Sequence, residues 1–200
     1  LGVVQTAYAN GASTKYLTKN NVPVVFAKTG VKHVHKAAHD NYDVGVYFEA
    51  NGHGTILFGN KFYDFLNATK YHVKHSKRAW LRLSLLPGLV NQAVGDALSD
   101  LLLVDAILQI QGTSISEWAN LYQDLPSKQC KLAVPDRSQI TTNENETRCL
   151  QPAGLQKELD IAMEHYKGRA FVRPSGTEAV VRVYAEAPTT QAAQALAQAA

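Results

Sequence analysis

Short apolar runs alternate with segments of helical length over the first sixty residues, and that alternation restricts the chain to few folds. Val3 to Ala7 and Pro23 to Ala27 read as buried strands, with Asp43 to Phe48 and Thr55 to Phe58 as a third and fourth. Ser13-Thr14 is placed to cap a short helix through Tyr16 and Leu17, and Val31 to His39 predicts a second helix after the turn at Thr29-Gly30. In the third strand Val44, Val46 and Phe48 are expected to face inward. The turn from Glu49 to Gly54 closes the last two strands into a hairpin. Strands alternating with helices, plus one hairpin, predict an α/β domain on a mixed sheet. Helical signal dominates from about Trp80 to Ile110, with Val90, Val94, Ala97, Leu101 and Leu108 expected on one face.

A second unit is expected after Gly112, which divides the chain into residues 1–111 and 112–200. Ile115 to Tyr122 reads as a short helix, Leu125-Pro126-Ser127 as a linker and Lys131 to Val134 as a strand. The polar run Thr141 to Thr147 is a loop or the start of a helix. Leu155, Leu159, Met163 and Tyr166 form a helical stripe stopped by Gly168, and an alanine-rich helix starts at Thr190. Between those helices, Ala170-Phe171-Val172 and the alternating Val181, Val183 and Ala185 predict two strands. The expected result is a smaller α+β domain following the α/β domain.

The two C-terminal strands enclose Arg173-Pro174-Ser175-Gly176-Thr177-Glu178. Turn residues between strands, Gly176 among them, expose backbone N–H groups, Ser175 and Thr177 add hydroxyls, and Arg173 supplies a planar fork of donors. That set suits a phosphate dianion. The alternative is a polar hairpin turn with a solvated arginine. In the first unit, Glu49, Asn51 and His53 alternate on the hairpin turn, with Gly52 and Gly54 allowing the bend. A carboxylate, an amide and an imidazole projecting together suit sugar hydroxyls, against the alternative of an ordinary loop. The turn Thr29-Gly30 with Lys32 can present donors to an anion, whereas His35 and His39 form only half a metal site, with no third ligand evident. Lys28-Thr29-Gly30 matches the K-T-G of penicillin-recognising serine enzymes, but S-x-x-K is absent from the chain and that reading fails.

Composition narrows the remaining classes. The formal charge of +3 and a charged fraction of 18% give weak grounds for nucleic-acid binding. The basic stretch Lys70 to Arg82, with Tyr71 and Trp80 interleaved, invites such a role, but a solvated basic face leading into a helix is the commoner arrangement. Cys130 and Cys149 belong to no C-x-x-C pair and fit a reducing, cytoplasmic setting as packing residues. No apolar run reaches membrane-spanning length, so a membrane is not an expected partner, and with only a modest charge a nucleic acid is not expected either. A chain opening at Leu1 inside a strand reads as a piece of something longer.

Three stretches together resemble one family. Gly2-Val3-Val4-Gln5-Thr6-Ala7-Tyr8-Ala9-Asn10-Gly11, Tyr47-Phe48-Glu49-Ala50-Asn51-Gly52-His53-Gly54 and Phe171-Val172-Arg173-Pro174-Ser175-Gly176-Thr177-Glu178 look like the phosphoacetylglucosamine mutases of the phosphohexose mutase family. Asn91 to Asp100 strengthens the likeness. It covers nearly the whole chain but only the family's third domain and its phosphate-binding fourth. The resemblance implies interconversion of N-acetylglucosamine 6-phosphate and 1-phosphate through a phosphoserine and a 1,6-bisphosphate intermediate, on the route to UDP-N-acetylglucosamine. A Mg2+ ion held by an aspartate-rich loop would balance the charge of transfer. By the same likeness Glu49, Asn51, Gly52 and His53 would grip the sugar of a phosphorylated N-acetylhexosamine. Arg173, Ser175, Gly176 and Thr177 would hold the non-reacting phosphate, and Lys32 would line the cleft. Neither the family's serine loop nor its metal loop occurs in this sequence, so no catalytic or metal-binding residue is expected here. The chain alone is then expected to be inactive without the N-terminal domains of the same enzyme. A non-catalytic phosphosugar- or anion-binding module remains the alternative.

Overall fold

The computed structural model describes residues 1–70 and 76–200. Tyr71, His72, Lys74 and His75 of the basic stretch lie outside the described residues. The chain divides into two compact units, one of Leu1–Gln5, Asn20–Val25 and Gly30–Leu121, the other of Thr6–Lys19, Phe26–Thr29 and Tyr122–Ala200.

The first unit carries a four-stranded mixed sheet built from β1 (Gly2–Thr6), β2 (Val24–Ala27), β3 (Val44–Phe48) and β4 (Gly54–Phe58), in the order β2-β1-β3-β4. The central pair β1 and β3 runs parallel, with Val3 opposite Val46, because α2 (Val31–Asn41) crosses over between β2 and β3. β4 returns antiparallel through the expected hairpin, with Tyr47 opposite Thr55. Val34 and Ala38 of α2 are fully buried, as is Tyr47 of β3. The face of β3 turned to the core is therefore that of Gly45 and Tyr47, and Phe48 is 41% exposed. The inward set Val44, Val46 and Phe48 is corrected by one residue of phase. A side chain on Gly45 would meet the carbonyl of Ala38, so glycine there lets α2 lie close and Tyr47 fill the neighbouring space.

Past the sheet come α3 (Asn60–Thr69), burying Phe62 and Leu66, and α4 (Lys77–Leu89), whose Trp80 Nε1 donates to the Leu66 carbonyl at 3.0 Å. The helical region from Trp80 to Ile110 is not continuous. It breaks after Val90 and resumes as α5 (Ala97–Gln111), capped by Asp96, whose side chain accepts from Leu98 and Ser99 N–H. Asn91 causes the break: its side-chain oxygen takes the N–H groups of Ala93 and Val94, while its carbonyl accepts from the Thr55 hydroxyl. The expected shared face dissolves with the helix, since Val94 and Leu101 are exposed and Leu103 is buried. The unit closes with α6 (Ile115–Ala119), held by a capping box between Ser114 and Glu117.

In the second unit, α1 (Gly11–Lys19) starts earlier than Ser13-Thr14 implies. Asn10 is its cap, accepting the Ala12 N–H at 3.0 Å, and Ser13 is already helical. The main sheet is antiparallel, in the order β5-β9-β8, from β5 (Ser127–Ala133), β8 (Arg169–Pro174) and β9 (Val180–Glu186). A small hairpin of β6 (Thr141–Thr142) and β7 (Cys149–Gln151) turns the run Thr141 to Thr147 into strand and turn rather than a helix start. α7 (Leu155–Tyr166) and α8 (Thr190–Ala199) follow the expected limits. Alternation along β8 and β9 separates two faces. Val172, Val181 and Val183 pack with Leu159, and Ala170 and Ala185 pack with Leu196 and Ala197. Phe171 and Tyr184, on the other face, stack at 5.3 Å and pack with Ala7 and Tyr8.

Candidate functional site

The loop leaving β8 is built by the residues that end that strand. Ser175 is buried; its N–H donates to the Val180 carbonyl, and its hydroxyl accepts from the N–H groups of Thr177 at 3.5 Å and Glu178 at 3.2 Å. Two of the loop N–H groups that the sequence offers to a ligand are thus held by Ser175 itself. Gly176 and Thr177 are exposed at the tip, and a side chain at Gly176 would meet open space. Arg137, on a 3-10 turn (Arg137–Gln139), bridges the loop from beneath: its Nη1 donates to the carbonyls of Ser175 at 2.6 Å and Glu178 at 2.9 Å. Lys131 and Arg182 flank it, both paired with Glu178.

Arg173 is not the solvated arginine of a plain hairpin turn, since its side chain is only 12% exposed. Its Nε donates to the Tyr8 hydroxyl at 3.1 Å, and the guanidinium carbon lies 5.4 Å from the Tyr8 ring centre. Nη1 donates at 3.3 Å both to Glu146 Oε1 and to the Pro174 carbonyl. Cation–π contact and a neighbouring carboxylate orient the planar fork without exposing it. Tyr8, Glu146 and Arg137 were not among the residues marked from sequence. Tyr8 lies within a stretch that carries the family resemblance, but nothing local pairs it with an arginine 165 positions away.

In the first unit, the sugar-type loop is a tight turn. Gly52 N–H donates to the Glu49 carbonyl, Glu49 N–H to the His53 carbonyl, and Gly52 takes a φ of 90°, a conformation glycine adopts without strain. The side chains do not project as one set. Asn51 folds back to accept the His53 N–H at 2.9 Å, and Glu49 Oε1 accepts the Gly30 N–H at 2.9 Å at the start of α2. One N–H at the start of that helix is thereby taken by a carboxylate of the protein. His53 and Lys32, both exposed, line one cavity of about 400 Å3 with His35, Tyr47 and the segment Ala93 to Gly95. His35 Nδ1 lies 3.0 Å from the Tyr47 hydroxyl, and His39 pairs with Asp40 instead of joining His35. Among the described residues no group of three or more carboxylate, imidazole or thiol side chains gathers as a metal site. Cys149 is buried, which pushes its thiol pKa up and suits packing rather than reactivity.

Residues 1–113 match the family description "Phosphoacetylglucosamine mutase AMG1, domain III", and residues 134–200 match "Phosphoglucomutase/phosphomannomutase, C-terminal domain". The chain is 53% identical over 205 residues to the phosphoacetylglucosamine mutase of Arabidopsis thaliana, covering 98% of this chain and 37% of that protein. To the enzyme of that name from Homo sapiens it is 49% identical over 200 residues, again covering 98% and 37%. A solved N-acetylglucosamine-phosphate mutase in its substrate complex superposes with a TM-score of 0.93 at 47% identity, over 99% of this chain and 37% of that one. Aspergillus fumigatus N-acetylphosphoglucosamine mutase, in complex with GlcNAc-6P and magnesium, gives 0.92 at 46% identity, over 98% and 37%. The chain thus spans little more than a third of the length of the relatives it matches, and over that length it belongs to the phosphoacetylglucosamine mutase family.

Proposed function

We propose that this chain supplies the sugar-binding and phosphate-binding parts of a mutase that interconverts N-acetylglucosamine 6-phosphate and N-acetylglucosamine 1-phosphate, on the route to UDP-N-acetylglucosamine. The reaction would run through a phosphoserine and a 1,6-bisphosphate. The serine would pass its phosphoryl group to the free sugar hydroxyl, and the bisphosphate would turn and return its other phosphoryl group to the serine. Serine loop, Mg2+ and its ligands would come from the part of the relatives' length that this chain does not span. The second unit would hold the phosphate that is not reacting, through Arg173, Ser175, Gly176 and Thr177. The first would contact the sugar through Glu49, Asn51, Gly52 and His53, with Lys32 beside them. A remote phosphate held firmly fixes the position of the reacting oxygen.

The observation that carries this reading is Arg173, nearly buried yet oriented at the foot of an exposed Gly176-Thr177 tip. Titrating the chain with N-acetylglucosamine 6-phosphate tests it. Arg173→Ala is expected to remove binding, and Arg173→Lys to restore little of it, because an ammonium cannot reproduce the planar fork. Unchanged affinity in Arg173→Ala would sink the phosphate assignment. Binding that persists but never supports turnover, even when the missing part of a relative is added, would favour the non-catalytic module.

A further inference from the structure

We propose that Glu146 is the resident counter-ion of the phosphate loop, a carboxylate that holds Arg173 while the loop is empty and gives it up to an arriving phosphate. This rests on the reading of that loop as a phosphate holder. A guanidinium only 12% exposed is costly to leave without an anion. Glu146 meets that need from a buried position, with its own side chain 5% exposed. Its placement is enforced by the turn between β6 and β7. Glu146 N–H donates to the Asn143 carbonyl, and the Asn143 side-chain oxygen accepts from Thr147 and Arg148 N–H. Glu146 itself adopts a φ of 59°, unusual for a residue other than glycine and held by these bonds.

The two carboxylate oxygens are used unequally. Oε2 is anchored on the Thr29 N–H at 3.0 Å, whereas Oε1 reaches Arg173 Nη1 at 3.3 Å through a single contact. Charge-assisted bonds between guanidinium and carboxylate are ordinarily shorter and often bidentate. The anchor is therefore on Thr29 and the hold on Arg173 is loose. Among the described residues, the bonds of Arg173 run through Nε and Nη1, which leaves Nη2 to the ligand. A phosphate docking there competes with Glu146 for the guanidinium, so its affinity is set below what Arg173 alone would give. A phosphate holder that must release and rebind the two ends of a bisphosphate needs that moderation.

The test is calorimetric titration of the 200-residue chain with inorganic phosphate at constant ionic strength, in wild type, Glu146→Gln, Arg173→Ala and the double variant. Glu146→Gln keeps the shape and removes the charge, so phosphate is expected to bind about ten-fold tighter, and the gain to vanish in the double variant. A side chain that only packs would leave affinity unchanged or lower it. Unchanged or weaker binding in Glu146→Gln, with binding abolished in Arg173→Ala, overturns the proposal while the phosphate reading stands. No binding by any of the proteins, or binding indifferent to Arg173→Ala, removes that reading and the proposal with it. Should the glutamine variant fail to fold, carbon NMR of the wild-type Glu146 carboxyl decides the matter. Its resonance is expected to move as phosphate saturates the chain, and a stationary signal overturns the proposal.

Discussion

Glu186 is 2% exposed, and its carboxylate gathers donors from three places: Arg169 through Nε and Nη2, the Gly11 N–H and the Tyr184 hydroxyl. Arg169 also donates to the carbonyls of Ala7 and Ala9, so one ion pair fastens residues 7 to 11 to the strands β8 and β9. Burial alone would push the Glu186 pKa up, but Arg169, Gly11 and Tyr184 outweigh it and hold the carboxyl below its ordinary value. Tyr184 is pushed the other way, by burial and by the carboxylate it donates to. Glu186→Gln leaves Arg169 without its anion, at a cost of about 3 kcal/mol, toward the lower end for a buried pair because Arg169 is 32% exposed. Urea unfolding measures it. The native state holds fewer protons on Glu186 than the unfolded state, so its contribution is present above the unfolded value of 4.5 and fades as pH falls through the lower folded value. The gap between wild type and Glu186→Gln should accordingly close in acid, and a gap that widens there would contradict this account.

At the scale of elements, the segment between α4 and α5 is fastened to β4 rather than carried along a helix. Thr55 and Phe58 donate to the Asn91 carbonyl and the Gln92 side chain, and Gly95 lies against Gly54 so closely that an added side chain would stand 3.0 Å from the Gly54 backbone. Gly95→Ala should force this approach apart and cost about 1–3 kcal/mol in thermal unfolding, as overpacking does. Because Ala93, Val94 and Gly95 line the cavity with Lys32 and His53, the same change should perturb the amide resonances of that cavity. Removing the α5 cap with Asp96→Ala is a smaller matter. It should cost about 1 kcal/mol and leave the cavity resonances largely in place.

For the whole molecule, the prediction is functional. The purified chain, matching little more than a third of its relatives' length, should show no mutase turnover. Adding the rest of a relative's chain should restore it, and detectable turnover from the chain alone would refute the proposed division of labour. No helix among the described residues is long and apolar enough to cross a membrane. Much of α5 nonetheless faces solvent, with Leu98, Leu101 and Leu102 each more than 60% exposed.

Most of the strands and the two C-terminal helices were legible in the sequence because each depends on neighbours a few positions away, whereas α3 and the β6–β7 hairpin were not. Alternation in Val181, Val183 and Ala185, the stripe from Leu155 to Tyr166 and the turn residues after Arg173 all act locally. The same reasoning misplaced the face of β3 by one residue, since Val44, Val46, Tyr47 and Phe48 are all apolar or aromatic and give no polar alternation to read, although only the face of Gly45 and Tyr47 is buried. It ran α4 into α5 because the bonds that Asn91 makes to Thr55 span 36 positions. The donor groups of the Arg173 to Thr177 loop were likewise visible in the sequence, but what governs Arg173 was not. Tyr8 and Glu146 reach it from 165 and 27 positions away, brought there by the Tyr8 packing on Phe171 and Tyr184 and by a strained turn. Sequence determined which groups are present and which local shapes they prefer. Tertiary structure alone decided which buried charge answers which, because that choice depends on the faces the sheets bury and on the distances left when they have done so.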